Sequence, residues 1–402
     1  MRVGPRIAIM AEFVSEKDNS TGYYWQTIIK WISEEFGDTI VLAPKTQNVF
    51  SSSKIEYLQF SSIRFGKKSV FRRILDQIFQ VIGFFRSAFS RLKPGMVVIT
   101  GTNPILLLLA MPIIKRLSRT KWILLSHDLY PENITISGLI DNNSVTYRIL
   151  SLLFSFVYRM PDAVIVIGRD MAEMVRRKGV HGSRIIYQPN WVNADDVKPM
   201  LKHESSLIRD LGWESKVIFQ YFGNMGKLQG IEELLRAIDA VKSPDARFLF
   251  CGGGIHAESV MKFCEENDNC HFISDHDYDR DEILASCDVA IVHLSEGMYG
   301  LGVPSKAYFS MASNRPILYA GDSGSELELA INESRIGWFA NLAEPDSLSK
   351  TIQNILNKTA STTTSPLPIY HQKYDGRAAR DIIIRLVHKV LNGGVDSIEG
   401  YV

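Results

Sequence analysis

What most constrains this chain is one recurring pattern: a short, wholly apolar run that meets glycines and then passes into helix-like sequence. Its fullest instance is residues 288–316, where DVAIVHL leads through SEGMYG into GLGVPSKAYFSMASNRP. An apolar run without polar alternation reads as a strand covered on both faces, which is a property of parallel sheets. Gly300 and Gly302 then give a loop whose backbone can turn towards a ligand. Pro304 suits the first turn of a helix. Ser305 and Lys306 fall in that turn, beside amides that no helical carbonyl satisfies. Strand, glycine loop, helix start, hydroxyl and lysine together outline a diphosphate site, and an ordinary βα connection shares the same outline.

The pattern repeats along 402 residues, enough for two or three domains. Strands are expected at residues 5–13, 39–43, 96–100, 122–126, 163–168 and 185–187, with a helix from about residue 23 to 36. A second series follows at 217–222, 247–251, 271–273, 289–294 and 316–320, its helices starting near residues 230, 255, 280, 304 and 325. Between the two, residues 192–215 weaken into a charged stretch with Pro199 that reads as a linker. Residues 376–391 carry an amphipathic helix pattern. The expectation is an α/β chain of two Rossmann-like domains, 1–195 and 196–375, followed by a C-terminal segment, 376–402. Ligands of such tandem domains lie in the cleft between them, at the carboxyl ends of the strands.

Composition narrows the function. A net charge of +1 gives no global field for nucleic acid. Cys251, Cys264, Cys270 and Cys287 form no Cys-x-x-Cys pair, which fits a reduced, cytoplasmic chain and neither a zinc site nor a disulfide framework. The N-terminal residues run into a strand pattern without signal-peptide architecture, and no apolar run is long enough to span a bilayer. Residues 64–93 differ from their surroundings. Arg64, Lys67, Lys68, Arg72, Arg73, Arg86, Arg91 and Lys93 face a single acid, Asp76, and are interleaved with aromatic and aliphatic residues. Such a segment can lie on an anionic membrane, aromatic side down, or pack on its own sheet with its cations solvated.

Four further places carry chemistry. Gly223-Asn224-Met225-Gly226 and Lys227 repeat the strand–glycine–lysine pattern, so that Lys227 would hold a diphosphate from the side opposite Lys306. The motif is neither the dinucleotide fingerprint nor a P-loop, which weighs against a dinucleotide oxidoreductase. FCGGG, with Gly252 and Gly253, allows close backbone approach to a nucleoside. WILLSHDLYPE puts His127 and Asp128 at the end of a strand, where His127 can meet a sugar hydroxyl and Asp128 can orient it; a buried structural pair is the alternative. Glu12 and Gly22 border the acceptor side. No metal clamp is convincing, and Asp275 and Asp277 read as part of a polar loop.

Taken in chain order, HDLYPE, PNWVN at residues 189–193, FGNMGK, FCGGG and GVPSKAYFSMASNRP resemble a family 4 (group 1) glycosyltransferase, similar to the bacterial enzymes of O-antigen and capsule assembly. The resemblance implies a GT-B fold, with an acceptor in the N-terminal domain, a nucleotide-sugar of UDP or GDP type in the C-terminal one, and a C-terminal helix crossing back. It implies retaining, metal-independent transfer of a hexosyl or N-acetylhexosaminyl group with no cofactor. Lys227 and Lys306 would contact the diphosphate, assisted by Ser305, Gly223, Asn224 and nearby amides. The acceptor would be a lipid-linked surface glycan (lipopolysaccharide, capsule or exopolysaccharide), reached by peripheral attachment at the inner face of the plasma membrane. The chain departs from the family pattern where a glutamate for the ribose is usual, because Phe309 stands there and Leu301 stands eight residues earlier. Glu296 and Glu326 are the candidate substitutes. A GT-B nucleotide-sugar epimerase and a non-catalytic membrane scaffold are the alternative readings.

Overall fold

The computed structural model describes residues 6–17, 19–46, 48–61, 70–273, 278–361 and 363–394. The start of the first expected strand, the basic residues Arg64, Lys67 and Lys68, and the Asp275–Asp277 pair lie outside the described residues. The chain divides into two compact units. The first takes Met1–Glu132, Ile140–Gln188 and Arg380–Val402, and the second takes Asn133–Leu139 and Pro189–Ala379.

The first unit is built on seven strands: β1 (Ile7–Met10), β2 (Thr39–Pro44), β3 (Ile55–Phe60), β4 (Val97–Gly101), β5 (Lys121–Ser126), β6 (Ala163–Val166) and β7 (Ile185–Tyr187). All neighbours are parallel, in the order β3-β2-β1-β4-β5-β6-β7. The central strands are buried throughout, as their unbroken apolar sequences demand. β3 was not expected from sequence. It is an edge strand, half-exposed, and IEYLQF alternates instead of running apolar.

The strand order reverses between β1 and β4. Right-handed crossovers therefore put helix Ser20–Phe36 on one face and helices Val70–Arg91, Ile105–Ser118 and Val145–Tyr158 on the other. On the second face, Leu106 N donates to Gln77 Oε1 at 3.1 Å, joining the first two helices. Lys115 Nζ reaches Met160 O and Asp162, each at 2.8 Å, joining the second helix to the end of the third. On the first face lies the C-terminal helix Gly376–Leu391, held by Arg380 to Glu35 at 3.2 Å and by the His388 ring against Phe36.

The second unit repeats the plan with β8 (Val217–Phe222), β9 (Ala246–Cys251), β10 (Cys270–Ile273), β11 (Val289–His293), β12 (Ile317–Gly321) and β13 (Gly337–Asn341), ordered β10-β9-β8-β11-β12-β13. Phe219, Phe248, Phe250 and Ile291 on the strands meet Leu234, Val260, Leu348 and Ile352 on the helices in its core. β13, GWFAN, is a second unexpected edge strand. The stretch read as a linker is bonded into this unit instead. Lys202 Nζ pairs with Asp288 at 2.7 Å, Ser205 Oγ bonds Ser286 Oγ at 2.8 Å, and Ser206 bonds Glu282. Its charges looked solvated in sequence because their partners lie about eighty positions away.

Candidate functional site

In the second unit the strand order reverses between β8 and β11, so the loops leaving these strands diverge and open a crevice at their carboxyl ends. β8 runs into Gly223–Gly226 and β9 into Gly252–Gly254. The two loops lock together by backbone, with Gly223 N donating to Cys251 O at 2.8 Å and Met225 N to Gly253 O at 2.7 Å. A Cβ on Gly252 would sit 2.2 Å from Gly223 O, and one on Gly254 would sit 2.6 Å from Met225 O. The close approach that these two glycines permit is to the neighbouring loop, a packing reason that stands beside the expected approach of a nucleoside. Gly253 alone faces open space.

Lys306 begins helix Lys306–Ala312 and points back under the β8 loop. Its Nζ stands 3.5 Å from the centroid of the Tyr221 ring, and its Cε would lie 3.7 Å from a Cβ on Gly223. Tyr221 is fixed in turn, its hydroxyl donating to Asn224 O at 2.8 Å. The ammonium is buried and has no hydrogen-bond partner among the described residues, although the lysine as a whole keeps some exposure. Burial pushes its pKa well below the usual lysine range. A lysine held this way, with no carboxylate bonded to it among the described residues, is in surroundings where an anion would favour its charged form. Ser305 flanks it, half-buried. Lys227 is different: exposed, on the 3₁₀ turn Lys227–Gln229, a turn tied down by Ser295 N to Leu228 O at 3.0 Å. Both lysines come from one sheet, on the loops after the adjacent strands β8 and β11, and not from opposite sides of a cleft.

His293, which sequence reasoning passed over, ends β11 between them and is fully buried. Its Nδ1 lies 3.0 Å from Gln229 O, its Nε2 has no partner among the described residues, and burial lowers its pKa to about 4. Its signal in sequence was the same as that of His127: a histidine closing an apolar run.

The carboxylates divide. Glu296 is exposed on the β11 loop, whereas Glu326 is buried at the start of helix Glu326–Ser334. Between them Asp322 accepts from Gly297 N at 3.0 Å and Tyr299 N at 2.7 Å, fastening the β11 loop to the end of β12. Phe309 is nearly buried, with the Arg280 guanidinium 5.5 Å above its ring. No group of three His, Cys, Asp or Glu suited to a metal occurs among the described residues.

In the first unit, residues beside the β1/β4 reversal form a polar set. Asp128 accepts from Asn103 Nδ2 at 2.8 Å, and Asn103 Oδ1 accepts from the Tyr130 hydroxyl at 2.9 Å. Glu12 accepts from Gln80 Nε2 at 3.1 Å. Burial, Asp128, Tyr158 and Glu12 together raise the Tyr130 pKa well above its usual value. His127 makes no hydrogen bond to Asp128, contrary to expectation, because that carboxylate is turned to Asn103. Its ring lies 5.6 Å from Tyr24, Nε2 is buried without a partner among the described residues, and burial lowers its pKa to about 4. Gly22 has a packing reason, since a Cβ there would be 1.9 Å from Ser15 O at the first turn of helix Ser20–Phe36.

Two open parallel sheets in tandem, each with a strand-order reversal, are the architecture of the GT-B glycosyltransferases. The model of the family "Glycosyl transferases group 1" matches residues 205–364. The chain is 39% identical over 378 residues to the probable glycosyltransferase WbjE of Pseudomonas aeruginosa, covering 92% of this chain and 94% of that protein. Among solved structures, Anabaena Alr3699/HepE in complex with UDP and glucose superposes with a TM-score of 0.68 at 14% identity, covering 96% of this chain and 100% of that one. WaaG, a glycosyltransferase involved in lipopolysaccharide biosynthesis, gives 0.62 at 11%, covering 98% and 100%. The chain belongs to the group 1 glycosyltransferases and is an enzyme that transfers a sugar, which sets the scaffold reading aside.

Proposed function

We propose that this enzyme transfers a sugar, with retention, from a nucleoside-diphosphate donor held by the second unit to a lipid-linked surface glycan. The observation that carries the donor half is the buried, unpartnered Lys306 ammonium beneath the Gly223 loop. As the glycosidic bond breaks, the leaving diphosphate gains negative charge. A preorganised ammonium in a water-poor pocket stabilises that change more than the ground state, without reorganisation at the moment of reaction. Lys227, exposed on the adjacent loop, completes the countercharge, so no metal is needed in this reading. Ser305 and Asn224 line the same crevice, and buried Glu326 is the candidate ribose contact in place of the usual glutamate. His127, whose buried Nε2 has no partner among the described residues, takes a sugar or acceptor hydroxyl on the first unit, beside Asp128 and Glu12.

The acceptor half is supported by the first unit's surface. Of seventeen exposed large hydrophobic residues among the described ones, six lie on helix Val70–Arg91, two on Ile105–Ser118 and five on Val145–Tyr158, the three neighbours on one face of the sheet. Their spacing is helical: Phe71, Ile74, Ile78 and Ile82 on the first, Val145, Ile149, Leu152 and Phe156 on the third. Leu152 is 74% and Phe71 68% exposed. Asp76 is the only acid on these helices, against Arg72, Arg73, Arg86, Arg91, Arg116 and Arg148. Apolar stripes among cations suit an anionic bilayer, whereas a second copy would bring arginines face to face. No helix among the described residues is long and apolar enough to cross a membrane. The reading is peripheral attachment at the cytoplasmic face, where the acceptor's lipid anchor lies. WaaG's role in lipopolysaccharide biosynthesis is in keeping with such an acceptor. A panel of UDP- and GDP-sugars incubated with polyprenyl-diphosphate-linked acceptors, read by mass spectrometry, should give one glycosylated product. Consumption of no donor would sink the proposal, and donor isomerisation without acceptor would favour the epimerase.

A further inference from the structure

We infer that His293 is a specificity residue of the donor site, its Nε2 accepting a hydrogen bond from a hydroxyl of the nucleotide-sugar. The inference rests on the donor reading above and adds a contact that reading does not contain.

The argument begins with the tautomer. Nδ1 lies 3.0 Å from Gln229 O, and a carbonyl oxygen only accepts, so Nδ1 carries the proton. The ring is neutral at physiological pH, because burial, helped by the nearby Lys306 and opposed by the Gln229 bond, lowers its pKa to about 4. Nε2 therefore presents a lone pair and nothing else. It is buried and has no donor among the described residues. The ring has no freedom to seek one. A Cβ on Gly230 would lie 2.5 Å from Cε1 and 2.7 Å from Nδ1, so the imidazole is pressed under the glycine that precedes helix Ile231–Asp239. Gly230, at φ +56°, is in the left-handed region that favours glycine, so helix start and ring position are set together.

The location supplies the ligand. His293 ends β11 at the strand-order reversal, and the nearby Lys306 ammonium is also buried and unpartnered. The two orphans have opposite polarity: Lys306 donates and His293 accepts. Phosphate oxygens satisfy the lysine but carry no proton to give the histidine at neutral pH. The group that satisfies Nε2 must donate, and in a nucleotide-sugar the donors close to the diphosphate are hydroxyls of the ribose and of the hexose. Both share one chemistry, and the test separates them.

Calorimetric titration of the full chain would use UDP and GDP, their 2′-deoxy and 3′-deoxy counterparts, UDP-glucose and GDP-mannose, and the single-deoxyhexose analogues of both. Wild-type protein should lose roughly tenfold in affinity for the one analogue that lacks the recognised hydroxyl, the size of one buried neutral hydrogen bond. A ribose analogue identifies the ribose, and a hexose analogue the sugar. His293→Phe keeps the ring volume and removes the acceptor, so it should bind parent and analogue equally weakly, while His293→Gln, whose Oε1 can reach the position of Nε2, should restore most of the discrimination. The inference is overturned if wild type tolerates every single-deoxy change, a result that does not depend on any variant folding. It is also overturned if His293→Phe melts like wild type yet keeps the same discrimination. In either case nucleotide binding persists and the donor reading stands; binding of no probe at all by wild type removes both.

Discussion

At the scale of single residues, the site depends on backbone packing as much as on side chains. Gly252, at φ +133° and with Gly223 O where a Cβ would fall, cannot take a side chain without moving the loop that covers Lys306. Gly252→Ala should therefore cost about 2 kcal/mol or more in a urea melt and weaken nucleotide binding together with it. An alanine variant with wild-type stability and affinity would show that the two loops move freely. This interlock was only half-legible in sequence. FCGGG announced a close backbone approach, but a run of glycines does not say what approaches, and the partner proved to be the other glycine loop. Lys306 was legible because Gly-Val-Pro-Ser-Lys fixes a helix start directly after an apolar strand. His293 was hidden because a single histidine inside DVAIVHL reads equally as a core residue; only its Gln229 bond and its place at the reversal set it apart.

Among elements, the strands that were legible are those buried on both faces, whose apolar runs admit no other reading. β3 and β13 were not, because an edge strand needs no continuous apolar sequence and carries polar residues or glycine. The helix Val70–Arg91 was legible as amphipathic and basic, but its neighbours were not seen to share its character. Helix Val145–Tyr158 buries Phe154 and Val157 while exposing Ile149 and Leu152, so in sequence it reads as simply apolar all round. This second stripe yields a prediction at the element scale. Ile149→Glu with Leu152→Glu should leave the melting temperature within about 2 °C, since exposed positions contribute little to stability. It should also abolish flotation with vesicles containing phosphatidylglycerol. Unchanged flotation would remove helix Val145–Tyr158 from the membrane face.

Across the whole molecule, each unit hides one histidine at the carboxyl end of its sheet, and both are held neutral by burial with pKa near 4. In the unfolded chain a histidine titrates near 6.5, so as pH falls below that value the unfolded state takes up protons that the folded state refuses. Stability is full above about pH 6.5 and should fall by about 3 kcal/mol per histidine on approach to pH 4. Replacing both by glutamine should flatten that limb of the stability profile, and an unchanged limb would place its origin elsewhere. The same linkage gives the most direct test of the central claim, that Lys306 holds the diphosphate of the donor. Burial depresses its pKa in the free enzyme, and a bound diphosphate would raise it, so over the pH range in which the free side chain loses its proton, binding takes one up and tightens as pH falls. The measurement is calorimetric titration of UDP and GDP in buffers of different ionisation enthalpy, on wild type and Lys306→Met. The account predicts net proton uptake by wild type with one of the two nucleotides, and a loss of that uptake and of roughly 10²–10³ in affinity in the variant, the scale of one preorganised charge contact. Equal affinity and equal proton uptake in the two proteins would contradict it.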